Sequence, residues 1–98
     1  MKISIITVCY NSSLFIHTAL ESVLNQAYTD IEYIVIDGGS TDGTIEMVEK
    51  YADRIAHFVS EPDRGIDDAI NKGIALTTGD VIGILNSDDF YSHKNVLS

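Results

Sequence analysis

Four short runs of branched, apolar residues recur along the chain and constrain its fold more than any other feature. They are "ISIITV" from Ile3, "EYIVI" from Glu32, "IAHFV" from Ile55 and "VIGIL" from Val81. A strand with one wet face alternates apolar and polar residues, whereas these runs are nearly continuous. That pattern suits strands covered on both faces, as in a parallel sheet. Helical periods fill the gaps between them. Ile16, Leu20, Val23 and Ala27 form one stripe, with Asn11, Ser12 and Ser13 placed to cap its start. Ile45, Val48, Ala52 and Ile55 form a second behind Ser40, Thr41 and Asp42, and Ile66, Ala69, Ile70, Gly73 and Ile74 form a third. Strands alternating with helices at this spacing predict an α/β fold, a Rossmann-like parallel sheet of about four strands flanked by helices and joined by right-handed crossovers.

The 98 residues suffice for one domain, and a hydrophobic fraction of 45% supplies a core. No linker or low-complexity tract divides residues 1–98. The chain stops shortly after the fourth run, which would leave one sheet edge open. It therefore reads as a truncated piece of a larger domain, with the open edge available for self-association. Fifteen Asp and Glu against six Lys and Arg give a formal net charge of -9, which argues against nucleic acid or anionic lipid as a partner. The same balance means that a phosphate ligand would need a metal ion or backbone N–H groups to meet its charge. The single cysteine, Cys9, lies inside an apolar run and reads as core filling in a reducing compartment. Neither a signal peptide nor an apolar run of the ~18 residues needed for a membrane span is present, so the expected location is cytoplasmic.

In open α/β sheets ligands bind beyond the carboxyl ends of the strands, so the residues that follow each run carry the functional reading. They are Thr7-Val8-Cys9-Tyr10-Asn11, Asp37-Gly38-Gly39-Ser40-Thr41-Asp42-Gly43, Ser60-Glu61-Pro62-Asp63-Arg64-Gly65 and Asn86-Ser87-Asp88-Asp89. Three of the four carry carboxylates, an acidic crescent along one sheet edge. Each also has a plainer reading. "DGGSTDG" serves as a glycine-rich turn with a helix cap, and it lacks the G-x-G-x-x-G spacing of a dinucleotide fingerprint. Asp67 and Asp68 favour the positive end of a helix dipole, and Asp68 sits four residues before Lys72. Tyr10 reads equally as half-buried packing and His57 as a satisfied core histidine. His17 and His93 look exposed, and no histidine has a partner at metal-ligand spacing.

The Asp88–Asp89 doublet resists the plain reading. Adjacent carboxylates raise each other's pKa unless a cation intervenes. In an extended segment their side chains point to opposite sides, so one can hold a divalent ion while the other accepts hydrogen bonds from a ligand. Hard oxygen ligands suit Mg2+ or Mn2+, which keep positions open for phosphate oxygens.

The segments "ISIITVCYNSSLFIHTALESVLNQ", "IEYIVIDGGSTDGT" and "DAINKGIALTTGDVIGILNSDD" resemble, in order and spacing, the start of the family 2 glycosyltransferases, which have a GT-A fold. The likeness spans nearly all 98 residues and is strongest to the branch acting in bacterial polysaccharide assembly. It implies the nucleotide-sugar-binding half of such an enzyme, a nucleotide-diphospho-sugar donor (UDP-linked in most members), Mn2+ or Mg2+, and a carbohydrate or lipid-linked acceptor. By the same resemblance Tyr10, beside Thr7 and Val8, lines the base; Asp37 bonds base or ribose; Asp68 shapes the donor site. Asp88 would contact ribose or sugar, and Asp89, closing a DXD-type motif, would ligate the metal. Three positions depart from the family pattern: Asn86 opens the motif where Asp is common, Gly38 stands where a second Asp is frequent, and Ile70 replaces a frequent Arg.

The resemblance places the general base for an inverting displacement beyond residue 98, so residues 1–98 alone are expected to bind nucleotide weakly and not to turn over. Two other readings remain at this point. A non-catalytic nucleotide-sugar-binding or assembly module would keep the same motif. A receiver-like signalling domain also uses clustered carboxylates and Mg2+, but would carry its acidic pair after the first strand, where Tyr10 and Asn11 stand.

Overall fold

A computed structural model describes residues 2–25, 30–62 and 65–86, with the side chains of Ile66 and Asn86 left aside. The order is β1 (Ile3–Cys9), α1 (Ile16–Leu24), β2 (Ile31–Asp37), α2 (Thr44–Glu49), a 3-10 turn (Ala52–Arg54), β3 (His57–Ser60), α3 (Ile66–Leu76) and β4 (Val81–Asn86). The four strands pair in parallel in the order β3-β2-β1-β4, the predicted α/β architecture. The chain steps outward from β1 through β2 to β3, then returns to the other side of β1. Strand order therefore reverses between β1 and β4, which makes their carboxyl ends the crevice of the sheet.

Both faces of β1 and β2 are covered, which explains their unbroken apolar runs. Ile5, Tyr33 and Val35 face α1 and α2, where Ile16, Ala19, Leu20, Val23 and Val48 close the larger cluster. Ile6, Val8, Ile34 and Ile36 face Ala69, Ile70 and Leu76 of α3. Every residue of β1 is buried, whereas β3 has no buried residue, its Phe58 and Val59 only half-covered. At roughly 1.5–3 kcal/mol for each fully buried large apolar side chain, the stability of the sheet resides in β1 and β2.

Three expectations change. The second helical stripe ends early: α2 stops at Glu49, and Ala52 is exposed on the 3-10 turn. Tyr51 takes over the contact to α1, its hydroxyl against His17 Nδ1 at 2.9 Å and donating to Glu21 Oε1 at 3.1 Å. Arg54 then fastens the turn by donating to the Leu24 carbonyl. β3 consequently begins at His57 instead of Ile55, and His57 is exposed, not a core histidine, because β3 is an edge strand. The third change concerns caps: α1 has no side-chain cap, because the polar residues before it are engaged elsewhere. Ala27 of the first stripe lies outside the described residues.

At the amino end of the sheet, Glu32 ties β2 to the segment leading into β4. It accepts from Ser4 Oγ (2.8 Å), Thr78 N (2.8 Å) and Thr78 Oγ1 (2.7 Å). The Thr78 N–H, foremost among these donors, holds the Glu32 carboxyl down to about 2 against the opposing pull of desolvation. Among the described residues β4 is the outer strand on this side, with Val81, Ile82 and Ile84 exposed, as expected of an open edge.

The approach of α3 to the sheet depends on Gly73. A Cβ there would lie 2.6 Å from Ile6 Cγ2 and 3.1 Å from Ile6 Cδ1, and Ile6 is fully buried with nowhere to move. Gly73→Ala gains up to ~1 kcal/mol of helix propensity, but overpacking costs typically ~1–3 kcal/mol. The expected net is a loss of about 1–2 kcal/mol, read as a lower urea midpoint.

Candidate functional site

The register brings the polar strand ends together. Cys9 pairs with Asp37 across β1 and β2, Val8 pairs with Asn86 across β1 and β4, and Asp37 pairs with Ser60 across β2 and β3. Asp88 and Asp89 lie outside the described residues; in sequence they follow Asn86, the β4 residue registered against Val8.

Asp37 is fully buried. Its Oδ1 accepts from Ser40 Oγ (2.5 Å) and Cys9 Sγ (3.4 Å), and its Oδ2 from Gly39 N (3.0 Å), Ser40 N (2.9 Å) and Ser60 Oγ (2.9 Å). Burial alone would push its carboxyl up, but the bonds from Ser40, Ser60 and Cys9 outweigh it and hold the group below its ordinary value. Asp37 thus organises the β2–α2 loop from inside and is not part of an exposed acidic crescent. Gly39 serves that turn at φ 89°, where a Cβ would meet Pro62 of the β3–α3 loop.

Hydrogen bonds among the described residues join the β1–α1 connection to the β2–α2 connection. Gly38 N donates to Cys9 O (2.9 Å), Asn11 N to Ser40 Oγ (2.8 Å), Thr41 N to Asn11 Oδ1 (2.8 Å), Ser12 N to Thr44 Oγ1 (2.8 Å) and Ser13 N to Asp42 Oδ2 (3.1 Å). Two of them are parallel relays. Asn11 N–H reaches the Ser40 hydroxyl, which donates to Asp37; Ser12 N–H reaches the Thr44 hydroxyl, which donates to Asp42 Oδ1 at 2.5 Å. The Thr44 hydroxyl, foremost among its donors, draws the Asp42 carboxyl down to about 2. Asn11, Ser12 and Asp42, expected as helix caps, therefore bind one loop to the other. Asp42 also accepts from Thr44 N at 3.1 Å, one residue ahead of the Gly43 cap position, and α2, like α1, has no side-chain cap.

The remaining candidates divide sharply. Thr7 is fully buried on the α1/α2 face, and its hydroxyl is bonded to Tyr33 OH at 2.7 Å, so its side chain does not reach the crevice. Val8 lies on the opposite face, in the cluster with Ile36 and Ala69. Tyr10, just past β1, is 62% exposed, which excludes the half-buried packing reading. Asp68 stands in the first turn of α3, next to Ala69, and pairs with Lys72 Nζ at 3.6 Å, the predicted i,i+4 pair. Lys72 also meets Glu61 Oε1 at 3.1 Å and donates to the Pro62 carbonyl at 3.3 Å. Sequence reasoning had not assigned the Ser40, Ser60 and Thr44 hydroxyls to the site. Their one signal was position, within the loops that follow parallel strands.

The described residues contain no group of three or more His, Cys, Asp or Glu able to hold a metal ion. Asp37 and Asp42 are committed to hydroxyl and N–H donors, and Asp68 and Glu61 to Lys72. No helix of the described residues is long and apolar enough to cross a membrane.

Comparison with known proteins agrees with this geometry. The chain is 42% identical to chondroitin synthase of Escherichia coli over 90 residues, which covers 90% of the chain and 13% of that protein. The crystal structure of residues 1–349 of S. aureus TarS in complex with UDP-GlcNAc superposes with a TM-score of 0.83 at 32% identity, covering 92% of the chain and 27% of TarS 1–349. The mannosyltransferase PcManGT of Pyrobaculum calidifontis, in complex with GDP-Man and Mn2+, superposes at 0.86 with 25% identity, covering 95% of the chain and 29% of PcManGT. The chain thus spans well under half the length of each. The family model for glycosyl transferase family 2 matches residues 4–98, from the second residue of β1 onward, and the chain belongs to that family.

Proposed function

We propose that this chain is the donor-binding part of an inverting glycosyltransferase that takes a UDP-sugar with Mn2+ or Mg2+ and serves bacterial surface polysaccharide synthesis. The observation that carries the reading is the reversal of strand order between β1 and β4. It brings the exposed Tyr10 and the strand leading into Asp88 and Asp89 to one crevice. The relatives that bind UDP-GlcNAc and GDP-Man with Mn2+ support the ligand class.

In this reading Tyr10 lines the base, Asp68 shapes the sugar end, and Asp88 accepts hydrogen bonds from ribose or sugar hydroxyls. Thr7 and Asp37 act from behind: one anchors the end of β1 through Tyr33, the other sets the β2–α2 loop. The donor set fits a hard divalent ion, because carboxylate oxygens are what such ions prefer. Asp89, with Asp88, would hold it; Asp37, Asp42 and Asp68 already have hydrogen-bond or ion-pair partners of their own. When bound, the ion supplies positive charge to the diphosphate that Lys and Arg of this acidic chain do not. None of the described residues is assigned as general base.

Titration with UDP, UMP and GDP in the presence of Mn2+ tests the reading. UDP is expected to bind at least about tenfold (~1.4 kcal/mol) more tightly than UMP, because the monophosphate lacks the second phosphate whose charge the ion would offset. Equal affinity for UDP and UMP would remove the diphosphate from the account.

A further inference from the structure

An exposed aromatic on a loop is unremarkable by itself; at Tyr10 its backbone is what stands out. The Ser12 hydroxyl accepts from Tyr10 N at 3.3 Å and donates to Tyr10 O at 3.1 Å, so both polar backbone atoms of Tyr10 are held by one side chain. The next residue, Asn11, has φ 47°, the only non-glycine with positive φ among the described residues. That left-handed backbone is held from both ends: Asn11 N–H donates to Ser40 Oγ, and Asn11 Oδ1 accepts from Thr41 N. Ser40 is in turn fixed to the buried Asp37. A side chain that is 62% exposed is thus carried on a backbone tied through three residues to the core. Non-glycine residues in the left-handed region persist where their surroundings over-determine them, and such positions cluster at ligand sites.

We propose that Asn11 is the positioning residue that aims Tyr10 at the nucleoside half of the donor, with Ser40 and Thr41 locking it, so that the two loops form one preformed base platform. The proposal rests on the donor-site reading above and adds to it a residue that touches no ligand. Preorganisation lowers the ordering cost of binding. Loosening Asn11 should therefore weaken ligands that carry a base and spare those that do not. Asp at position 11 tolerates the left-handed region and keeps an acceptor for Thr41 N, whereas Ala does neither.

The test titrates wild type, Asn11→Ala, Asn11→Asp, Tyr10→Ala and the Tyr10→Ala/Asn11→Ala double variant with UDP and with inorganic pyrophosphate, both in Mn2+. Thermal unfolding serves to confirm that each variant is folded. Asn11→Ala and Tyr10→Ala are each expected to weaken UDP about tenfold and to leave pyrophosphate within about twofold. Asn11→Asp should stay within about threefold of wild type for UDP, and the double variant should bind no worse than Tyr10→Ala, since both changes remove one platform. Unchanged UDP affinity in Asn11→Ala overturns the proposal, as does equal weakening of UDP and pyrophosphate or full additivity in the double variant. If Asn11→Ala does not fold, UDP weakened in Asn11→Asp as much as in Tyr10→Ala overturns it too. Failure of wild type to bind either ligand removes the donor site itself, a result separable from loss of the Asn11 role alone.

Discussion

Asp37→Ala is expected to cost about 3–5 kcal/mol, enough to bring a domain of ordinary stability, ~5–15 kcal/mol, close to unfolding. The size follows from what the substitution leaves behind. Five donors converge on this one buried carboxylate, two of them backbone N–H groups and two of them hydroxyls. Hydrogen bonds to a charged group contribute ~1.5–3 kcal/mol each, and donors stranded in a buried site lose their solvation as well. Those terms overlap and do not add in full, which keeps the total near the cost of breaking a buried charged network. Asp37→Asn should cost about 2 kcal/mol, because its amide nitrogen confronts donors whichever way it turns. The pH dependence has a definite sign. The folded carboxyl lies below its ordinary 3.8, so its stabilisation is complete above that value and is lost as pH falls through the lower, folded one. Urea unfolding between pH 7 and pH 3 should therefore show a shallower acid limb in Asp37→Asn than in wild type. An Asp37→Ala midpoint within experimental error of wild type would show that the loop holds itself together without the carboxylate.

Asp89→Ala is expected to remove the metal-dependent part of UDP binding, a loss of at least about tenfold, or ~1.4 kcal/mol. The structure gives a reason to expect no rescue from neighbours. Four carboxylates described at this edge are engaged: Asp37 and Asp42 by hydroxyls and N–H groups, Asp68 and Glu61 by Lys72. Recruiting Asp37 or Asp42 as a ligand would break bonds that hold the loops shaping the crevice. Asp53→Asn is the control, since Asp53 is an exposed carboxylate on the 3-10 turn. It should bind UDP as wild type does, with and without Mn2+. An Asp89→Ala chain that retains full metal-dependent affinity would move the ion to other ligands.

The sheet was legible because burial on both faces leaves a mark on local composition: β1 and β2 are continuous apolar runs and lie where those runs predict. The second helix was overextended because Ala52 and Ile55 keep helical spacing while Tyr51, off that stripe, makes the contact that matters. Its hydroxyl partners, His17 and Glu21, are thirty or more positions back in sequence and leave no local trace. The same blindness turned Asn11 and Ser12 into helix caps. Short polar side chains before a helix do cap helices as a rule, but here the Asn11 side chain accepts from Thr41 N, the Ser12 hydroxyl is bonded to the Tyr10 backbone, and the N–H groups of the two residues reach Ser40 and Thr44. Thr7 illustrates a further limit. A period of two says that Thr7 and Val8 face opposite sides without saying which side holds the crevice, and the hydroxyl proved to be spent on Tyr33. What could be read was that polar residues gather after every strand; which of them face inward required coordinates.

The proposed donor site depends on a divalent ion at the crevice between β1 and β4, which would join this acidic chain to a nucleoside diphosphate. Isothermal titration of the chain with UDP, in Mn2+ and again in EDTA, is the most direct test. Binding is expected to be at least about tenfold tighter with the ion present; the same affinity in both buffers would remove the ion from the site.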